Sequence, residues 1–170
     1  MRVFLSIRLT QKMRNALENV IRDMKRSGAK GNYSLPCNMH ITLAFLGEVP
    51  GVEGIEEALD EVEFQPFELK MEGFGHFGEL YWVGLAEQPL LEQLVKNIRR
   101  VLDDNGIAYD RKKFRAHITV ARRVQAAYPI RVRIPRESME VTAFSLMKSE
   151  RINGKIKSPE IACWEAGKKK

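Results

Sequence analysis

The sequence predicts an α+β fold of two similar lobes with pseudo-two-fold symmetry, in which antiparallel-rich sheets line a central groove and helices lie on the outside. Three observations lead there. One spacing of 77 residues superimposes strand, helix and motif segments; the strand-prone motif runs alternate polar and apolar residues; and each half carries one amphipathic helix pattern that ends in glycine.

The elements follow in chain order. Val3 to Leu9 reads as a strand and falls, at that spacing, on Leu80 to Ala86. Met13, Leu17, Ile21 and Met24 recur with helical period and fall on Leu90, Leu94, Ile98 and Val101, so each set would bury one helix face. Gly28 and Gly106 follow, each free to take the left-handed conformation that stops a helix. His40-Ile41-Thr42-Leu43 falls on His117-Ile118-Thr119-Val120, and Phe67-Glu68-Leu69 on Phe144-Ser145-Leu146. Each lobe is thus expected to run strand, helix, strand, strand. An extra helix is expected after Pro50-Gly51, with Val52, Ile55, Leu59 and Val62 on its apolar stripe. In the second half Ile130 to Ile134, bracketed by Pro129 and Pro135, reads as an edge strand. The repeat is too long for a solenoid, whose units span about 20 to 50 residues. No Gly-, Ser- or Pro-rich linker separates the halves. A single two-lobed domain over residues 1–170 is therefore expected, with Lys168 to Lys170 as a disordered tail.

Composition narrows the class. A chain of 170 residues, 44% hydrophobic and 29% charged, can bury one ordinary core, which excludes disordered and fibrous proteins. No run approaches the ~18 apolar residues of a membrane span, so neither a membrane partner nor an export leader is expected. Cys37 and Cys163 have no metal or redox spacing and read as buried, reduced thiols of a cytoplasmic protein. Lys and Arg number 28 against 22 Asp and Glu, a net charge of +6, and the surplus is concentrated between Arg99 and Arg136. Such a surplus favours a polyanionic partner, nucleic acid first.

Two of the three histidines open the same tripeptide, His-Ile-Thr. At about 5% per residue type, Ile-Thr would follow a given His roughly once in 400 cases, so a matched pair is not chance. Strand alternation puts His40 with Thr42, and His117 with Thr119, on one face; Ile41, Leu43, Phe45, Ile118 and Val120 would point to the helices. If the pseudo-two-fold sets these strands side by side, both polar faces line one groove. An imidazole with a pKa near ~6.5 serves as base when neutral and as acid when protonated. Threonine hydroxyls on stiff strand rotamers suit non-bridging phosphate oxygens. The set makes a site for splitting or forming a phosphodiester. Two isolated histidines fall short of the three or four ligands zinc takes, so no metal is expected. Neither a Gly-x-Ser-x-Gly elbow, a Gly-x-x-x-x-Gly-Lys phosphate loop nor a Gly-x-Gly-x-x-Gly turn occurs, so no cofactor is implied.

These residues resemble the two-histidine phosphoesterases, and within them the RNA 2′,3′-cyclic phosphodiesterase branch, also called 2′-5′ RNA ligases. The likeness runs through Met1 to Ile7, Asn38 to Val49 with its Phe45-Leu46-Gly47 extension, and Phe114 to Arg122. It implies metal-free, ATP-independent hydrolysis of RNA 2′,3′-cyclic phosphate ends, or of small cyclic nucleotides, to 2′-phosphomonoesters by a monomer. By motif position His40 would be the proton donor and His117 the proton acceptor, with Thr42 and Thr119 holding the phosphate. Arg122 matches a basic position near the family's phosphate site. Relatives often carry an aromatic pair such as Trp-Val before the first motif, where this chain has Tyr33-Ser34-Leu35-Pro36. Tyr33, Phe74 and Phe77 are candidate base-stacking residues, and His76 reads as a loop residue in a glycine-rich turn. The competing readings are 2′-5′ ligation as the main role and a non-catalytic RNA-binding domain.

Overall fold

Alternation along the first strand separates the two faces of the molecule. In β1 (Arg2–Arg8), Val3, Leu5 and Ile7 join the hydrophobic core, whereas the buried Phe4 and Ser6 alternate with them and face the other way. The structure, a computed structural model, describes residues 1–167. The tail from Lys168 to Lys170 lies outside the described residues. After β1 come α1 (Gln11–Arg26), β2 (Lys30–Tyr33), a 3₁₀ turn (Pro36–Asn38), β3 (His40–Glu48), α2 (Glu53–Leu59), β4 (Phe67–Phe77) and β5 (Leu80–Leu85). Then follow α3 (Pro89–Asp104), β6 (His117–Gln125), β7 (Ser138–Val141), β8 (Ala143–Ile152), β9 (Lys155–Lys157) and β10 (Glu160–Glu165). The fold is α+β.

Two antiparallel sheets form, one ordered β10-β8-β1-β3 with β9 on β8, the other β2-β6-β5-β4-β7. The trio β8-β1-β3 corresponds to β4-β5-β6. The two halves therefore exchange their last strands, which corrects the expectation of self-contained strand-helix-strand-strand lobes. β4 turns tightly through Gly78, at φ +59°, into β5, and a strand joined by a hairpin pairs with its sequence neighbour.

Hairpin registers refine the repeat. β3 and β6 correspond at the motif spacing, but Thr42 faces Ser6 whereas Thr119 faces Trp82, and His40 faces Arg8 whereas His117 faces Gly84. β1 thus maps on β5 one residue short of that spacing, and Trp82 takes the place of Ser6 instead of Leu5. A one-residue slip in a strand moves a side chain to the other face. The helices slip the opposite way: Leu91, not the exposed Leu90, begins the buried stripe of α3. Gln88 caps that helix and Pro89 takes its first turn, which sets its phase. Both helix stops behave as the sequence suggests, with Gly28 at φ +85° and Gly106 at φ +67°, and Thr10 caps α1 by accepting the Met13 N–H at 3.3 Å.

Three other expectations fare differently. The extra helix forms, burying Ile55 and Leu59, with Val62 buried just beyond it. Ile130 to Ile134 forms no strand: the Arg131 N–H donates to Ser27 Oγ and the Arg133 N–H to Asp23 Oδ2, both at 2.9 Å, so the end of α1 meets the donors a sheet edge would have taken. Cys37 and Cys163 are free but exposed rather than buried, one on the 3₁₀ turn and the other on edge strand β10. Among the described residues no helix is long and apolar enough to cross a membrane.

Candidate active site

β3 of one sheet and β6 of the other lie against each other. Along both, the pattern His, Ile, Thr alternates half-buried, buried, half-buried, so His40, Thr42, His117 and Thr119 share the polar faces and Ile41 and Ile118 fill the core. Across the two strands His117 is near enough for its charge to bear on His40. The two imidazoles are held alike: His40 Nδ1 lies 2.8 Å from the Asn38 carbonyl oxygen, and His117 Nδ1 lies 2.7 Å from that of Arg115. A carbonyl oxygen only accepts, so each Nδ1 carries the proton and donates it, which leaves Nε2 as the nitrogen that exchanges protons.

Their surroundings are unequal. Burial pulls the His40 pKa below its ordinary value, and the positive charges of Arg122 and His117 lower it further, while the Asn38 carbonyl acts against them. Arg122 is exposed yet near enough to bear on His40, which places it at the same groove. It sits there because a bulge in β6 shifts the pairing between Thr119 and Ala121. The matching irregularities in β3 turn Phe45 outward, 53% exposed, against the expectation that it points to the helices. Phe4 lies under His40 with ring centroids 4.9 Å apart and touches Phe45 at 6.2 Å.

On the other side Phe77 meets His117 edge-on at 5.7 Å, and Trp82 stands 6.5 Å from His117 and 5.4 Å from Phe77. Gly75 and Gly84 make the seat for that indole. A Cβ on Gly75 would come within 2.4 Å of the Trp82 ring, and one on Gly84 within 2.5 Å of the Glu72 carbonyl oxygen and 3.3 Å of the ring. Of the three stacking candidates, Phe77 is 44% exposed beside His117. Tyr33 instead packs on the core and donates its hydroxyl to the Ala29 carbonyl at 2.6 Å, and Phe74 packs on the core and Tyr81. His76 stacks on Tyr81, which also packs on the core, so it lies on the face away from the groove. Among the described residues, no group of three or more His, Cys, Asp or Glu could hold a metal ion.

Phe4, Ser6, Trp82 and Gly75 escape the sequence reading. The signal for the first two is in the strand itself, since Val3, Leu5 and Ile7 alternate with Phe4, Ser6 and Arg8. Trp82 is hidden by the one-residue slip, which would set it beside Leu5 in the core. Ser6 is fully buried between Thr42 and Ser145 in register, while Arg8, the cross-strand neighbour of His40, pairs with Glu160 at 3.5 Å.

Two matched acid/base groups, each with one free nitrogen, stand at a groove with paired threonines and an arginine, an arrangement suited to moving protons about a phosphate. Several relatives by sequence carry one name. The chain is 36% identical over 130 residues to the RNA 2′,3′-cyclic phosphodiesterase of Archaeoglobus fulgidus, covering 72% of each. It is 32% identical over 135 residues to the protein of the same name from Geobacillus stearothermophilus, covering 74% of this chain but 43% of that longer one. The crystal structure of E. coli LigT complexed with 3′-AMP superimposes with a TM-score of 0.83 at 25% identity, covering 98% of both chains. The model of the 2′-5′ RNA ligase superfamily matches residues 13–153, so this chain belongs to that superfamily.

Proposed function

We propose that this protein hydrolyses RNA 2′,3′-cyclic phosphate ends, and small nucleoside 2′,3′-cyclic phosphates, to 2′-phosphomonoesters. The observation that carries the reading is the pair of histidines on neighbouring strands of two sheets, each held through Nδ1 by the carbonyl two residues before it. The name borne by the relatives in Archaeoglobus and Geobacillus supports the substrate class.

In the proposed reaction water attacks phosphorus as the bond to O3′ breaks. His117 Nε2 takes the proton from water, and His40 Nε2 gives one to O3′, leaving a 2′-phosphate and a free 3′ hydroxyl. Thr42 and Thr119 donate to the non-bridging oxygens, and Arg122 balances the charge that grows on them. The environment of His40 makes this role conditional on substrate. Burial, together with the positive charge of Arg122, lowers its pKa in the free protein, and a bound phosphate anion, opposite in sign to that charge, raises it again. Phe77 is placed to stack a base beside His117. One chain of one two-lobed domain supplies every group, so a monomer suffices, and exposed free thiols suit a reducing cytoplasm.

The test is turnover of a nucleoside 2′,3′-cyclic phosphate by His40→Ala and His117→Ala. Each is expected to lose at least ~100-fold in kcat while the melting temperature holds, because general acid/base catalysis contributes about that much or more. Either variant turning over at the wild-type rate refutes its assignment. Product analysis separates 2′-phosphate from joined ends and so tells hydrolysis from ligation.

A further inference from the structure

Away from the histidines, a groove of about 640 Å³ runs between α1 and the segment from Arg133 to Arg136. Arg22 and Arg26 line one side and Arg133 and Arg136 the other, and Asp23 is the one carboxylate among the lining residues. That carboxylate is already engaged: Oδ2 accepts the Arg133 N–H, and Oδ1 lies 3.7 Å from Arg26. The two sides are more than 100 residues apart in sequence, yet Ser27 and Asp23 tie the backbone of Arg131 and Arg133 to the end of α1. The fold thus fixes four exposed guanidinium groups about one concavity with a single acid among them. Like charges gathered this way repel unless an anion is present.

The groove is joined to the site by continuous chain and strand pairing. α1 runs through Gly28 into β2, whose Lys30 faces Gln125 and whose Asn32 faces Arg122 on β6. His117 and Gln125 are the two ends of β6, eight residues apart or about 26 Å at ~3.3 Å per residue. A stacked strand rises ~3.4 Å per nucleotide, so the length of β6 alone corresponds to roughly eight nucleotides.

We propose that this groove docks the phosphodiester backbone of RNA upstream of its cyclic end. The inference rests on the function proposed above. It makes the protein a reader of RNA length, in which short cyclic nucleotides use only the histidine groove and longer strands gain affinity from the arginines.

The experiment compares wild type with Arg22→Ala/Arg136→Ala, two exposed positions, on a nucleoside 2′,3′-cyclic phosphate and on a cyclic-ended RNA of about 20 nucleotides, well beyond that reach. Each single-strand phosphate contact contributes ~0.7 to the salt slope, so losing two lowers it by ~1.4, equivalent to about 25-fold weaker binding at 0.1 M salt. The expected result is a KM for the long RNA raised by about that factor, a shallower salt dependence, and unchanged turnover of the mononucleotide. An unchanged KM and slope on long RNA overturn the proposal, and so does an equal loss on both substrates. If wild type cleaves neither substrate, the proposed function fails by itself. Fluorescence anisotropy with a 3′-hydroxyl RNA of the same length then decides the docking surface, which requires the same change in slope.

Discussion

Gly75 is the position where the smallest substitution should do the most to the site. An added Cβ would stand 2.4 Å from Cζ2 and 2.5 Å from Cη2 of Trp82. Carbon atoms rest about 3.5–4.0 Å apart, so in Gly75→Ala the indole must retreat by roughly 1.1–1.6 Å. Its other neighbours are the rings of Phe77 and His117. Overpacking of this kind costs about 1–3 kcal/mol. For a chain of this size each kcal/mol shifts the melting temperature by ~2–4 °C, so a fall of about 2–12 °C is expected. A displacement near 1 Å beside reacting groups costs up to ~100-fold in rate, so kcat/KM on a cyclic nucleotide should fall by ~10- to 100-fold. Thermal unfolding and steady-state kinetics measure both. In a Trp82→Leu background the same Gly75→Ala change should cost little stability, because the clashing ring is gone, and the double-mutant cycle reads that coupling directly. Full stability and rate in the single variant, or additive effects in the cycle, would refute the view that Gly75 exists to seat the indole.

The remaining predictions concern charge and thiols. The pKa of His40 read from kcat/KM, which reports free protein, should lie below the ordinary histidine value of ~6.5 and below that read from kcat, because bound phosphate offsets Arg122; equal values would count against the assignment of His40. A histidine whose folded pKa is depressed binds its proton better when unfolded, so stability is lost as pH falls below ~6.5 towards the folded value. Melting curves of wild type and His40→Asn should therefore diverge below that pH, and parallel curves would disprove the burial effect. Both cysteines should react with a thiol reagent in the native state, Cys37 faster than Cys163, whose thiol burial pushes up in pKa; a single reactive thiol would contradict the exposure of both.

What the sequence makes legible is whatever local chemistry decides. The His-Ile-Thr doublet lies in strands of ordinary alternation, Gly28 and Gly106 stop helices because they alone tolerate positive φ there, and the stripe of α1 buries Met13, Leu17, Ile21 and Met24 as its period demands. What stays hidden depends on distant partners. Nothing near Ile130 to Ile134 announces that Ser27 and Asp23, more than 100 residues earlier, will take up its backbone donors. Nothing in Phe67 or Phe144 tells that their strands have changed sheets, and the bulges that turn Phe45 and Arg122 into the groove exist only as pairing irregularities.

The one-residue slip between β1 and β5 matters most for mechanism. An exact duplication would give two equivalent imidazoles, and two groups with the same environment have no reason to divide into acid and base. Here the slip sets Ser6 opposite Thr42 but Trp82 opposite Thr119, so the halves share their histidines and differ in what surrounds them. His40 sinks onto Phe4, feels Arg122 and loses basicity, while His117 stands between Phe77 and Trp82. The repeated motif alone leaves open which histidine gives the proton and which takes it. The supporting strands make the two environments unequal: His40 is the more buried and lies near Arg122, and its pKa is lowered for both reasons.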